Sequence, residues 1–178
     1  HRDTMLNKVL LEIYSKWPTG RQTEKIVIQE DNASVHKQSI CDEVAAAATA
    51  KGWKIKVKAQ SPRSPDFNCL DLGLFASIQS LQYKYNPRTI DELVLSVMNA
   101  FDALPRNTLD NVFLTLQQCM IEALKVEGSN HYRIPHMSKA KLRRAGKLPR
   151  TLKCPRAVLE AANRIHFDPD YQFPPLPI

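Results

Sequence analysis

Asp31 and Asp71 combine residue type and position in a way that could do chemistry. The first follows directly on a short β-branched run, Lys25-Ile26-Val27-Ile28-Gln29-Glu30. The second sits in the first turn of a helical segment that opens after the turn-rich loop Ser61-Pro62-Arg63-Ser64-Pro65-Asp66-Phe67-Asn68. Carboxylates at the carboxyl ends of strands or at helix starts can converge on one cleft of an open α/β sheet. Hard oxygen ligands of this kind suit Mg²⁺ or Mn²⁺, which keep several waters and bind through one or two carboxylates plus substrate phosphates. Taken singly, each acid has a plainer use: an aspartate at a helix start caps free N–H groups and complements the dipole.

A second chemical feature is charge. The net charge of +7 comes from 25 Lys and Arg against 18 Asp and Glu. Nine basic residues and no acid lie between Arg133 and Arg156, and the remainder of the chain is slightly acidic. Within this stretch Lys139, Lys141, Arg143, Arg144, Lys147 and Arg150 are candidates for binding a polyanion by counterion release. Tyr132 is the one aromatic at its edge, so the patch points to phosphate contact and not to base stacking. A solvated basic loop without a partner would read the same way. Cys41, Cys69, Cys119 and Cys154 are dozens of residues apart and form no C-x-x-C pair, which argues against a zinc site or a disulfide framework. Reduced, buried thiols and an intracellular setting are expected. His131 and His136 read as surface histidines.

The elements that must position these groups follow from periodicity. Met5, Val9, Ile13 and Trp17 recur about one turn apart and predict a helix over 4–17, stopped by Pro18 and Gly20. Residues 25–30 predict a strand, 34–51 an alanine-rich helix closed at Gly52, and 53–58, where apolar and cationic residues alternate, a strand with one wet face. Leu72, Phe75, Ile78 and Leu81 predict a helix over 70–81. The Thr89-Ile90-Asp91-Glu92 capping box opens another to Leu104, with Leu93, Val97 and Phe101 sharing a face. A helix over 109–126 would turn Val112, Phe113, Leu116, Met120 and Leu124 inward. A short helix from Pro155 to Arg164 and a proline-rich tail (Pro169, Pro174, Pro175, Pro177) complete the chain.

The expected fold class is α/β, with strands 25–30 and 53–58 in one sheet followed by a mainly helical C-terminal region. Two strands are too few for a free-standing sheet. Either further strands belong to the parent protein, or helices cover a very small sheet. A start at His1 in place of Met fits the first alternative. The 178 residues are ample for burying a core without metal or disulfide staples. The composition excludes collagenous and disordered classes, no apolar run is long enough to cross a bilayer, and the opening residues do not form a signal peptide.

Two segments carry a resemblance. Ile26-Val27-Ile28-Gln29-Glu30-Asp31-Asn32-Ala33-Ser34-Val35-His36 resembles the strand and Q-x-D-N-A-x-x-H motif of mariner-like transposases. Ser64-Pro65-Asp66-Phe67-Asn68-Cys69-Leu70-Asp71-Leu72-Gly73-Leu74-Phe75 is similar to that family's S-P-D-L-N-x-x-D-L-G-x-F motif. Between Asp31 and Asp71 lie 39 residues, the spacing of second and third acids in the branch known from plants and oomycetes. A weaker likeness covers the opening helix and Ile134-Pro135-His136-Met137 with the basic run behind it.

The resemblance implies a partial RNase H-like core over 1–86, a helical hairpin over 87–128 packing on it, and a basic segment, short helix and tail over 129–178. It implies two-metal phosphoryl transfer on DNA with Mg²⁺ or Mn²⁺, Asp31 and Asp71 serving as catalytic acids and metal ligands. Asn32, His36, Asp66 and Asn68 would support the site, and the basic residues would hold transposon ends or target DNA. DNA is the expected partner and the nucleus the expected location, with Lys139–Arg144 an import-like run. A homodimer is compatible; a membrane or a small-molecule substrate is not expected. The family's first acid lies upstream on another strand. Neither Asp3 nor Glu30 replaces it, since Glu30 should face away from Gln29. Little cleavage by this chain alone is therefore expected. The competing expectation is a non-catalytic or co-opted remnant that binds DNA or protein, with both aspartates kept as caps.

Overall fold

The computed structural model describes residues 1–167, and the proline-rich tail lies outside them. The chain divides into two compact units, His1–Arg63 and the residues from Ser64 onward. The described residues are mixed α/β and mostly helical, with one small parallel sheet.

In the first unit a continuous helix, α1, covers residues 2–16 and widens by a turn at Met5–Val9. Trp17 leaves it in an extended conformation ahead of Pro18, whose ring cannot continue a helix. Strand β1 (Lys25–Glu30) pairs in parallel with β2 (Lys54–Ala59), in register from Lys25↔Lys54 to Glu30↔Ala59. Helix α2 (Gln38–Ala50) is the crossover between them. Its exit is a Schellman turn: Trp53 N–H donates to the Ala48 carbonyl and Gly52 N–H to that of Thr49, at 3.0 and 2.9 Å. That geometry needs a positive φ at Gly52 (+79°), which glycine adopts without a Cβ penalty.

The helices solve the problem of a two-stranded sheet by covering one face. Met5 and Leu10 from α1, Val44 and Ala48 from α2, and the paired Ile26 and Ile55 form a single buried cluster. Tyr14 and Trp53 stack at its margin, 5.1 Å between ring centroids. Fully burying a Leu, Ile or Val contributes about 1.5–3 kcal/mol, so these few side chains hold the unit together. The other face carries Lys54, Lys56 and Lys58, all exposed, as their alternation with Ile55 and Val57 requires.

In the second unit a short turn at Pro65–Phe67 leads into a wide helical turn, Leu70–Leu74, that kinks at Gly73 and runs into α3 (Phe75–Gln82). Helix α4 (Ile90–Asp102) starts at the expected capping box: Thr89 Oγ1 accepts from Glu92 N–H, and the Glu92 carboxylate accepts from Thr89 N–H. It packs on α3. Its buried residues are Ser96 and Ala100, whereas Leu93, Val97 and Phe101 are 43, 42 and 59% exposed. The apolar stripe of α4 is nearly continuous, so periodicity alone did not choose its inner face.

Helix α5 (Arg106–Lys125) also departs from expectation. Val112, Cys119 and Ala123 are buried along one face and Leu114 on the opposite one, while Phe113 and Met120 are exposed between them. The reason is that α5 has neighbours on two sides. It packs against the 65–74 turns and against α7 (Arg156–Phe167). The 139–152 segment adds a further contact: α6 (Lys139–Arg144) reaches it through side chains, and Leu152 N–H donates to Gln117 Oε1 at 2.6 Å.

Candidate functional site

Asp31, Asn32 and His36 belong to the first unit; Asp66, Asn68, Asp71 and the basic residues belong to the second.

Asp31 follows the last residue of β1, yet it does not cap a helix. The expected helix from Ser34 begins at Gln38, and residues 31–37 form turns instead. Asp31 Oδ1 accepts from Ala33 N–H at 2.9 Å, and the His36 N–H donates to the Ala33 carbonyl at 2.9 Å. These short-range bonds give the backbone an alternative to the helix. The His36 imidazole folds back on the same turn, with Nδ1 2.9 Å from the Asp31 carbonyl and 2.8 Å from Asp31 Oδ1. The Asp31 side chain stays 58% exposed. Asn32 turns away from it: its Nδ2 donates to the Gln60 carbonyl at 2.9 Å, while Gln60 N–H donates to the Glu30 carbonyl at 2.7 Å. Asn32 thus ties together the carboxyl ends of both strands.

Glu30 occupies the inner face of β1 with Ile26 and Ile28, opposite to Gln29. A carboxylate at an apolar position needs partners. Glu30 Oε1 lies 3.1 Å from His1 Nε2, and Cys41 Sγ donates to Oε2 at 3.9 Å. Burial, aided by the negative charge of Glu30, pushes the Cys41 thiol above its ordinary pKa. The rings of His1 and His36 stand 4.5 Å apart, centroid to centroid. One ligand atom from each of His1, Glu30 and His36 lies within 4.8 Å of the others. The motif reading did not include this group. The available signal was an acid on the apolar side of a strand.

In the second unit Asn68 links loop and acid. Its Oδ1 accepts from Leu70 N–H at 3.0 Å and its Nδ2 donates to Asp71 Oδ2 at 2.9 Å. Asp71 is exposed. Asp66 accepts a hydrogen bond from the Tyr132 hydroxyl, which ties the 65–67 turn to the segment beyond α5. Asp66 therefore anchors tertiary structure. Cys119 is the one fully buried thiol among four free cysteines; its burial, with Asp66 nearby, raises its pKa.

The basic stretch splits by direction. Lys139 Nζ donates to Thr115 Oγ1 at 2.6 Å, and Arg143 donates to Asn111 Oδ1 at 2.9 Å. Desolvation holds the Lys139 ammonium below its usual pKa. Both residues pin α6 onto α5. Lys141, Arg144, Lys147 and Arg150 remain exposed. Of these, Arg150 borders a groove of about 600 Å³ that is also lined by Asp110, Leu114, Arg143 and Leu148. His131 and His136 are exposed, as expected. Among the described residues no helix is long and apolar enough to cross a membrane.

No protein-family model, curated protein or solved structure matches this chain.

Proposed function

We propose that the chain is part of the catalytic domain of a mariner-like transposase, with an RNase H-like core, acting on DNA in the nucleus. The observation that carries this reading is the pair of long motifs with 39 residues between Asp31 and Asp71. A parallel β–α–β unit whose first strand is followed directly by Asp31 supports it, because open α/β sheets build their sites at such ends.

The two acids fit divalent ions by their chemistry. Both are exposed, and the hydrogen bonds of each engage one carboxylate oxygen, Oδ1 of Asp31 and Oδ2 of Asp71. The remaining oxygens are hard donors of the kind Mg²⁺ and Mn²⁺ take. When bound, such ions supply the Lewis acidity that activates a water or a DNA 3′-hydroxyl and stabilises the leaving oxygen. The protein's part is positioning. Asn68 orients the Asp71 carboxylate, the His36 ring braces Asp31, and Lys141, Arg144, Lys147 and Arg150 hold phosphates. The family's first acid is missing from this chain, so cleavage by it alone should be slight.

One observation favours the second reading, a non-catalytic DNA- or protein-binding remnant. The Ala33 and Asn68 contacts would keep both aspartates useful as turn residues without any ion. Mn²⁺ titration of the full chain separates the readings. Wild type should bind Mn²⁺, and Asp31→Asn and Asp71→Asn should each weaken binding by tenfold or more. Equal, negligible binding by all three would remove the metal site and leave the remnant.

A further inference from the structure

We infer that His1, Glu30 and His36 form a binding site for a borderline divalent transition ion, Zn²⁺ by preference, separate from any Mg²⁺ or Mn²⁺ bound by Asp31 and Asp71. Three independent features lead there. The first is proximity: a ligand atom from each residue falls within 4.8 Å of the other two. Tetrahedral bonds of about 2.0–2.1 Å set ligand atoms about 3.4 Å apart, so closing on an ion asks for movements of about 1 Å. His1 precedes the first helical residue, Arg2, and its ring is held by no helix geometry of its own.

The second is burial. The Glu30 side chain is only 9% exposed, at the end of β1 where the next residue already faces water. The two imidazoles are about one-fifth exposed, and their rings lie 4.5 Å apart, centroid to centroid. A nearly buried carboxylate close to two imidazoles is a costly arrangement for apolar packing to maintain, and a cation held by all three offsets that cost.

The third is the support behind His36. Metal-bound histidines almost always give their second nitrogen to a carboxylate or backbone carbonyl, which fixes the tautomer and the ring plane. His36 Nδ1 is already held this way, by the carbonyl and Oδ1 of Asp31. A proton on Nδ1 leaves the lone pair on Nε2. On binding, the ion takes that lone pair, a Glu30 oxygen and the Nε2 lone pair of a neutral His1 ring whose one proton sits on Nδ1.

Imidazole donors select the metal. Two nitrogens and one carboxylate suit Zn²⁺ far better than Mg²⁺, and three protein ligands leave a fourth position for water.

The test is competition of the full chain with a chromophoric chelator for Zn²⁺, alongside visible absorption with Co²⁺. Wild type should bind one Zn²⁺ per chain and develop a Co²⁺ band. His36→Ala and Glu30→Gln should each weaken Zn²⁺ by tenfold or more. Glu30 borders the core, so His1→Ala provides a second variant, which removes a ring that lies outside the apolar cluster, and it should show the same loss. Asp71→Asn should keep Zn²⁺ binding unchanged, so a failure of the transposase reading would leave this site standing. Wild-type affinity no greater than that of His1→Ala and His36→Ala, or retention of the Co²⁺ band in both, would overturn the proposal.

Discussion

At Gly73 the backbone takes φ 175° and ψ −15°, and the chain kinks between the 70–74 turn and α3. A Cβ there would stand 3.2 Å from Val112 Cγ2, closer than ordinary van der Waals contact. Val112 is buried on α5, so its methyl has little room to retreat. The glycine of the D-L-G motif is thereby explained by the approach of a neighbouring helix. Gly73→Ala should cost about 1–3 kcal/mol of stability, the range for overpacking a well-filled interior. Val112→Ala should also destabilise by loss of buried methyls. The double variant should be more stable than the sum of these losses by at least about 0.5 kcal/mol, because removing the methyl makes room for the Cβ. Denaturant unfolding of all four forms completes the cycle. Strict additivity would show that Val112 does not impose the glycine.

At the scale of elements, α4 and α5 show what a helix owes to its own residues and what it owes to neighbours. The start of α4 is local: the Thr89 and Glu92 contacts satisfy N–H groups that no helical carbonyl can reach. Thr89→Ala should lower stability by about 1 kcal/mol, and Thr89→Ser much less, since serine keeps the accepting oxygen. Equal losses for the two would assign the effect to the threonine methyl. The orientation of α4 is not local. Small residues, Ser96 and Ala100, face α3, and the Ser96 hydroxyl is satisfied by the Leu93 carbonyl at 2.8 Å. The larger Leu93, Val97 and Phe101 remain outside. In α5, contacts on two sides bury Val112 and Leu114 together, a pair no single helical stripe contains.

For the molecule as a whole, the excess positive charge resides in one stretch, but its members do different work. Lys139 and Arg143 hold α6 to α5, and only the exposed residues are placed to meet a polyanion. Neutralising Lys141, Arg144, Lys147 and Arg150 to glutamine should weaken duplex DNA binding. It should also flatten the dependence of that binding on log salt, by up to about 0.9 for each phosphate no longer neutralised. Melting temperature should barely change in that variant. Arg143→Ala should instead lower stability by about 1.5–3 kcal/mol, since it removes a part-buried charged hydrogen bond. Fluorescence anisotropy over a salt series, paired with thermal melts, reads both quantities. A quadruple variant with an unchanged salt slope would mean that these side chains do not touch phosphates.

Features set by neighbouring residues were legible in the order of amino acids. The β–α–β unit, the lysine face of β2, the capping box and the exit turn at Gly52 depend on periodicity and short-range hydrogen bonds, which lie within a few residues of one another. The motif pair also stood out at this level, since a run of letters and a count of intervening residues need no coordinates. Side-chain partners across the chain did not. That His1 would meet Glu30 and His36, that Asp66 would receive the Tyr132 hydroxyl, and that Lys139 and Arg143 would turn inward were decided by packing. The partners are separated by 24 to 66 positions in most of these pairs, and only burial of the apolar faces brings them within bonding distance. Local pattern determines which groups a segment can offer; the tertiary fold determines which of them find one another and which are left to water.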